Sequence, residues 1–167
     1  IRGNIMRNEQ EANRVIELYA DTVRRLCMIY LKNYADTEDV FQNVFIKYVL
    51  SPVSFKNTEH EKAWIIRVTV NECKDILKSA FRRKNVPLEE VKELTSEMPN
   101  RDSDVIEVVR ALPQKYKEVV YLYYYEGYSA EEIGKMIHKR VNTVYTHLAR
   151  ARSALKERLG DKFEHDI

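Results

Sequence analysis

Val15, Leu18, Tyr19, Val23, Leu26, Cys27, Tyr30 and Leu31 recur at the three-and-four spacing that lines up one face of an α-helix and no face of a strand. The pattern returns in Val40, Phe41, Val44, Phe45, Tyr48 and Val49, a second helix for which Asp36 is the expected N-cap and which must stop before Pro52. Thr58-Glu59-His60-Glu61 has the form of a capping box, in which hydroxyl and carboxylate satisfy each other's free backbone N–H groups. It opens a third helix expected to reach about Arg83. That helix is two-sided: Ile66, Val70, Cys73, Leu77 and Phe81 share an apolar face, while Arg67, Asn71, Lys74, Lys78 and Arg82 share a polar, basic one. With only four Gly and four Pro, the chain lacks the turn residues of a sandwich or barrel, and the expectation is an all-α fold.

The periodicity lapses from Asn85 to Asp104, a stretch with Pro87, Pro99 and six acids against two bases. A loop of about 20 residues is unusual inside one compact domain, so it reads as an acidic linker between two small helical domains, 6–84 and 105–167, with Met6 taken as the native start. Helices are expected from Val105 to Leu112, from Pro113 through Tyr121 to Tyr125, from Ser129 to Ile137, and from about Val141 to Leu159. Gly127 stops the second of these, and Ser129-Ala130-Glu131-Glu132 supplies another capping box. Tyr121, Tyr123, Tyr124 and Tyr125 read as core filling rather than as base-stacking rings.

Charge separates along the chain more than its net value of +2 suggests. Lys74 to Lys84 holds five bases against Asp75, and Lys139 to Arg158 holds six against Glu157, so two basic patches flank the acidic stretch. No apolar run approaches the roughly 18 residues of a membrane span, and the reading is a cytoplasmic protein without membrane insertion. Cys27 and Cys73 have no CxxC spacing and read as buried thiols; no metal or cofactor is expected. His60, His138, His147 and His165 are scattered, and no phosphate loop or nucleophile motif accompanies Asp36, Glu38 and Asp39, which sit where acids support the first turn of a helix. An enzyme is not expected.

The last two helices have helix-turn-helix form, with Gly134 small at their close approach and Ile133, Ile137, Val144 and Leu148 shared between them. If Val141, Val144, Leu148, Ala151 and Leu155 are the buried stripe, Asn142, Tyr145, Thr146, Ala149 and Arg150 point away from it. These side chains suit a major groove, since Arg can pair with guanine, Asn with adenine, and an Ala methyl can touch thymine.

Three segments, Ala111 to Val120 (ALPQKYKEVV), Tyr125 to Ile133 (YEGYSAEEI) and Asn142 to Arg152 (NTVYTHLARAR), closely resemble region 4 of bacterial sigma factors. Asp36 to Phe45 (DTEDVFQNVF) resembles the region 2 segment that binds the β′ clamp helices of RNA polymerase, and Ala63 to Asn71 (AWIIRVTVN) resembles the region 2 helix that recognises the promoter minus-10 element. Nothing corresponds to regions 1.1 or 3, so the resemblance is to the extracytoplasmic-function subgroup of the sigma-70 family. The turn departs from the family's Gly, apolar, Ser pattern, with His138, Lys139 and Arg140 in its place.

The resemblance implies a detachable polymerase subunit regulated by an anti-sigma factor. Asp36, Glu38, Asp39, Gln42 and Phe45 would dock on the β′ clamp, and region 4 on the β flap. Arg67, Asn71, Lys74, Asp75 and Lys78 would face minus-10 DNA, with Phe55 in the Ser51 to Thr58 loop trapping an unstacked base. Arg140, Asn142, Thr143, Tyr145, Thr146, His147, Ala149, Arg150 and Arg152 would meet minus-35 DNA. The acidic linker would run through the polymerase's basic nucleic-acid channel. The competing reading is a two-domain helix-turn-helix regulator that acts on DNA without polymerase.

Overall fold

A computed structural model describes residues 6–83 and 108–160, and among these every regular element is helical. They belong to two compact units, one on each side of the stretch read as a linker, which itself lies outside the described residues.

The first unit packs three helices: α1 (Glu9–Tyr30), α2 (Tyr34–Leu50) and α3 (Thr58–Arg82). Each is capped by an asparagine. The Oδ1 atoms of Asn8, Asn33 and Asn57 accept the backbone N–H of Glu11, Asp36 and His60, each at 2.8 Å. The expected caps Asp36 and Thr58 therefore lie inside their helices. The Asn33 side chain accepts from the Asp36 N–H and donates to its carboxylate at 2.5 Å, so the helix starts earlier than an Asp cap alone would allow. Val15, Val23 and Leu26 of α1, Val40, Val44 and Tyr48 of α2, and Ile65, Ile66 and Val70 of α3 fill the core.

Cys27 and Cys73 meet there with sulfurs 4.0 Å apart, both free and buried; their mutual contact and burial push the Cys73 thiol far above its usual range and leave it unreactive. The fully buried part of the apolar face of α3 ends at Cys73. Leu77 is 37% and Phe81 68% exposed, because a helix of 25 residues outruns the 17 residues of α2.

One buried carboxylate ties the three helices together. Glu61 takes two bonds from Arg14 (2.8 and 3.2 Å), one from the Tyr48 hydroxyl (2.6 Å) and one from the Tyr19 hydroxyl (3.1 Å). It is thus the interior tie of the bundle, not the outer half of a capping box with Thr58.

In the second unit, α4 (Gln114–Val120) runs on into a π-helical turn, Tyr121–Tyr125, before Gly127 ends it at φ +77°. The π turn inserts a residue into the register. Tyr121 stays buried, stacks on Tyr125 at 5.1 Å between centroids and donates to Glu126 at 2.6 Å, while Tyr123 and Tyr125 face solvent rather than core. α5 (Ala130–Ile137) and α6 (Val141–Leu159) follow. Leu112, Val120, Ala151 and Leu155 form a core onto which Val108 and Val109, at the described start of this unit, also pack.

Candidate nucleic-acid interface

The helix-turn-helix is built from its turn outward. Ser129 and Glu132 cap α5 reciprocally, at 3.2 and 2.8 Å, as the sequence anticipates. At the other end His138 occupies the left-handed region (φ 57°, ψ 46°), and the Lys139 N–H reaches back to the Gly134 carbonyl at 2.9 Å. A Cβ on Gly134 would lie 2.7 Å from the Lys139 carbonyl oxygen, so the close approach at this glycine is to the turn itself. Arg140 is the N-cap of α6 and makes no side-chain cap bond, which leaves its guanidinium on the exposed surface where the helix begins.

Val144, Leu148, Ala151 and Leu155 are buried, and Asn142, Tyr145, Thr146, Ala149, Arg150 and Arg152 are exposed. Tyr145, half exposed, donates to Glu131 of α5 at 3.3 Å, and chiefly the negative charge of Glu131 raises its phenol pKa. Thr146 returns its hydroxyl to the Asn142 carbonyl at 2.9 Å, leaving its methyl and oxygen lone pairs outward. Thr143 and His147 are partly buried. His147 meets the Tyr116 ring of α4 edge-on at 5.6 Å, at the border of the exposed face; burial first, then the nearby Lys115 charge, lowers its pKa.

In the first unit, Arg67, Asp75 and Lys78 are exposed and Asn71 and Lys74 partly so, along one stripe of α3. On α2, Asp39 and Gln42 are exposed, five or more residues beyond the cap, so Asp39 has no part in the first turn. Asp36 and Glu38 are partly covered. Phe45 is 7% exposed and packs against Phe41 at 4.9 Å, so most of its ring lies in the core. The exposed apolar side chains beside Asp39 and Gln42 are Ile46 and Leu50, which periodicity alone could not separate from the buried face.

Phe55 is also more enclosed than a free trap. It lies parallel to Tyr48 at 5.9 Å and edge-on to Trp64 and His60 at 5.7 and 5.4 Å. Arg7, absent from the sequence reading, reaches this cluster from the segment before α1. Among the described residues no group of three or more His, Cys, Asp or Glu is placed to hold a metal ion, and no helix is long and apolar enough to cross a membrane.

Residues 15–84 match sigma-70 region 2, and residues 102–155 match sigma-70 region 4. The RNA polymerase sigma factor SigV of Bacillus subtilis is 29% identical over 81% of this chain and 82% of its own length. The ECF RNA polymerase sigma factor SigW of the same organism is 26% identical over 88% of each. In fold, the chain is similar to the sigma factor RpoE solved in complex with the anti-sigma factor NepR from Bartonella quintana (TM-score 0.68, 19% identity, 95% of this chain and 99% of that one). With region 2 and region 4 matched in order on its two helical units, the chain belongs to the sigma-70 family, in the extracytoplasmic-function group of RNA polymerase sigma factors.

Proposed function

We propose that this chain brings core RNA polymerase to promoters through two separate DNA-facing surfaces and makes no bond itself, the polymerase supplying the chemistry. The observation that carries this reading is the division of α6: a buried apolar stripe holds the helix, and the opposite face presents Asn142, Tyr145, Thr146, Ala149, Arg150 and Arg152 without a single acid among them. Such a face can lie in a major groove, where Arg150 and Asn142 have the donors for guanine and adenine edges. Arg140 and Lys139, at the turn, suit phosphates. Thr143 and His147 border the face and serve it through packing.

Arg67, Asn71, Lys74 and Lys78 offer a second, basic stripe for the minus-10 region, with Asp75 beside them and Phe55 in the adjoining loop for an unstacked base. Asp39 and Gln42, with Ile46 and Leu50, form the stripe on α2 suited to the β′ clamp helices, and Asp36 and Glu38 flank it. Region 4 would in turn meet the β flap. The RpoE neighbour in fold was solved in complex with an anti-sigma factor, and the same mode of regulation, in the cytoplasm, is proposed here.

The test is transcription in vitro with core polymerase on promoters selected from a randomised library. A sigma factor yields specific initiation only with core, whereas a free-standing regulator would shift promoter DNA alone. In the same assay Arg150→Ala should cost about 1 to 3 kcal/mol and relax preference at one minus-35 position. Lys139→Ala should weaken all sequences alike and reduce the salt dependence. Unchanged base preference in the Arg150 variant would remove that residue from the reading set.

A further inference from the structure

Arg7 makes more contacts than any surface arginine of this fold requires. Its backbone N–H donates to the Val49 carbonyl at 3.2 Å, and its guanidinium donates to the carbonyls of Tyr48, Ser51 (2.8 Å) and Val53. The same guanidinium lies 4.2 Å from the Tyr48 ring centroid and 5.1 Å from that of Phe55. Glu11, one turn into α1, steadies it at 3.4 Å. The Arg7 side chain is only 9% exposed. These contacts fall on the end of α2 and the start of the loop to α3, a stretch that contains Pro52 and has no helical hydrogen bonds of its own from 52 to 55. An arginine can hold three carbonyls in this way because its fork presents several fixed donors in one plane, which the single rotating ammonium of lysine does not.

We propose that Arg7 is a positioning residue for capture of an unstacked promoter base: by tying the carbonyls of Tyr48, Ser51 and Val53 and covering the Tyr48 and Phe55 rings, it holds the loop in the shape that presents Phe55. Phe55, ringed by Tyr48, His60 and Trp64 and flanked by Arg7, keeps only its partly exposed side for a base, and the proposal rests on the reading of that loop as the minus-10 base contact. Its physical content is preorganisation. A loop already fixed by Arg7 loses little conformational freedom when a base stacks on it, whereas a slack loop must be ordered at the expense of affinity. Since the guanidinium is covered and faces Glu11, its charge contributes little to phosphates, and the effect is one of shape.

The experiment uses the full chain bound to core polymerase. The probe is a single-stranded oligonucleotide carrying the non-template minus-10 sequence recovered by the wild-type holoenzyme from a randomised promoter library. Arg7→Ala and Arg7→Lys should each weaken probe binding about tenfold and flatten preference at the captured base. The slope of affinity against salt and the affinity for core should stay at wild-type values, while the Trp64 unfolding transition, which reports the same ring cluster, should fall modestly without loss of the folded state. Arg7→Lys retains the charge, so wild-type binding by that variant would mean a phosphate contact and overturn the proposal. A fall in core affinity parallel to the fall in probe binding, in both variants, would reduce Arg7 to a structural role and overturn it equally. Phe55→Ala separates the two levels: weakened Phe55→Ala with silent Arg7 variants sinks the proposal alone. Silent Phe55→Ala and Arg67→Ala variants together sink the reading of the minus-10 surface beneath it.

Discussion

Replacing Glu61 by Gln keeps the shape of the side chain and removes the charge on which three helices converge. Folded, the carboxylate is 5% exposed and accepts four hydrogen bonds, two from Arg14 of α1 and one each from Tyr19 of α1 and Tyr48 of α2. The amide would offer one acceptor oxygen and turn an NH2 group toward donors, so at least one Arg14 bond is lost and one tyrosine must rotate its proton. Breaking a buried ion pair from one side costs about 3 to 5 kcal/mol. Arg14 is 45% exposed and can be hydrated when abandoned, which places the expected loss lower, at about 2 to 3 kcal/mol.

Trp64 is the only tryptophan and touches Tyr48 and Phe55, so its fluorescence follows the first unit alone during urea unfolding of the whole chain. With a slope near 1 kcal/mol per molar urea, the lower end for small units, the midpoint should fall by about 2 to 3 M.

The same contacts give the loss a pH signature. Burial pushes the Glu61 carboxyl up, but hydrogen bonds from Arg14 and Tyr48 outweigh it and hold the pKa below its ordinary value. Between the folded value and the unfolded one of about 4.3, the unfolded chain binds more protons, so stability falls as the solution is acidified through that window. The gap between wild type and Glu61→Gln is therefore full at neutral pH and shrinks in acid. At the alkaline end burial and Glu61 raise the Tyr19 pKa to about 12 and push the Tyr48 pKa up as well, so their contribution is whole below the unfolded tyrosine value of about 10 and is lost as pH climbs from there through the folded values. A variant within about 0.5 kcal/mol of wild type at pH 7, or a gap that persists undiminished well below the carboxylate range, would refute the assignment of Glu61 as the tie of the bundle.

Two further outcomes concern the second unit. Gly134→Ala would set a methyl 2.7 Å from the Lys139 carbonyl oxygen, which is backbone and cannot swing aside; it should destabilise region 4 by about 1 to 3 kcal/mol and weaken minus-35 duplex binding while the Trp64 transition stays put, all measurable in one thermal and fluorescence series. His138→Gly removes a side chain from a left-handed position and should stabilise this unit by up to about 1 kcal/mol, a rise of a few degrees in its far-ultraviolet melting transition.

The helices and their order were legible because each buries one stripe, and a stripe leaves a period in the sequence. The caps were legible only in type. Asn33 and Asp36, or Asn57 and Thr58, compete within a few positions, and which side chain takes the free N–H is set by geometry that spacing does not encode. Periodicity also overreached at both ends of its range. It assigned Leu77 and Phe81 to a packed face although no statement about one helix fixes how far its partners extend. It could not foresee that the π turn at Tyr121–Tyr125 would shift the register and send Tyr123 and Tyr125 outward.

The site divides along the same line. Asn142, Tyr145, Thr146, Ala149 and Arg150 were readable because rotation about one helix sorts exposed from buried, and the structure places all five outside. That His147 is partly covered was not legible, because its neighbour Tyr116 lies on another helix, 31 positions away in sequence. The burial of Phe45 was not legible either, because a ring on the border of an apolar stripe belongs to whichever neighbour covers it, here Phe41 and the core. Arg7 was beyond reach altogether. Its partners are carbonyl oxygens 41 to 46 residues away, and a carbonyl is the one acceptor that every residue carries, so no residue type at the far end marks the contact. Side-chain pairs such as Arg14 with Glu61 leave opposite charges for a reader to match; a guanidinium that straps backbone leaves only an arginine, and its role emerges when the chain is folded.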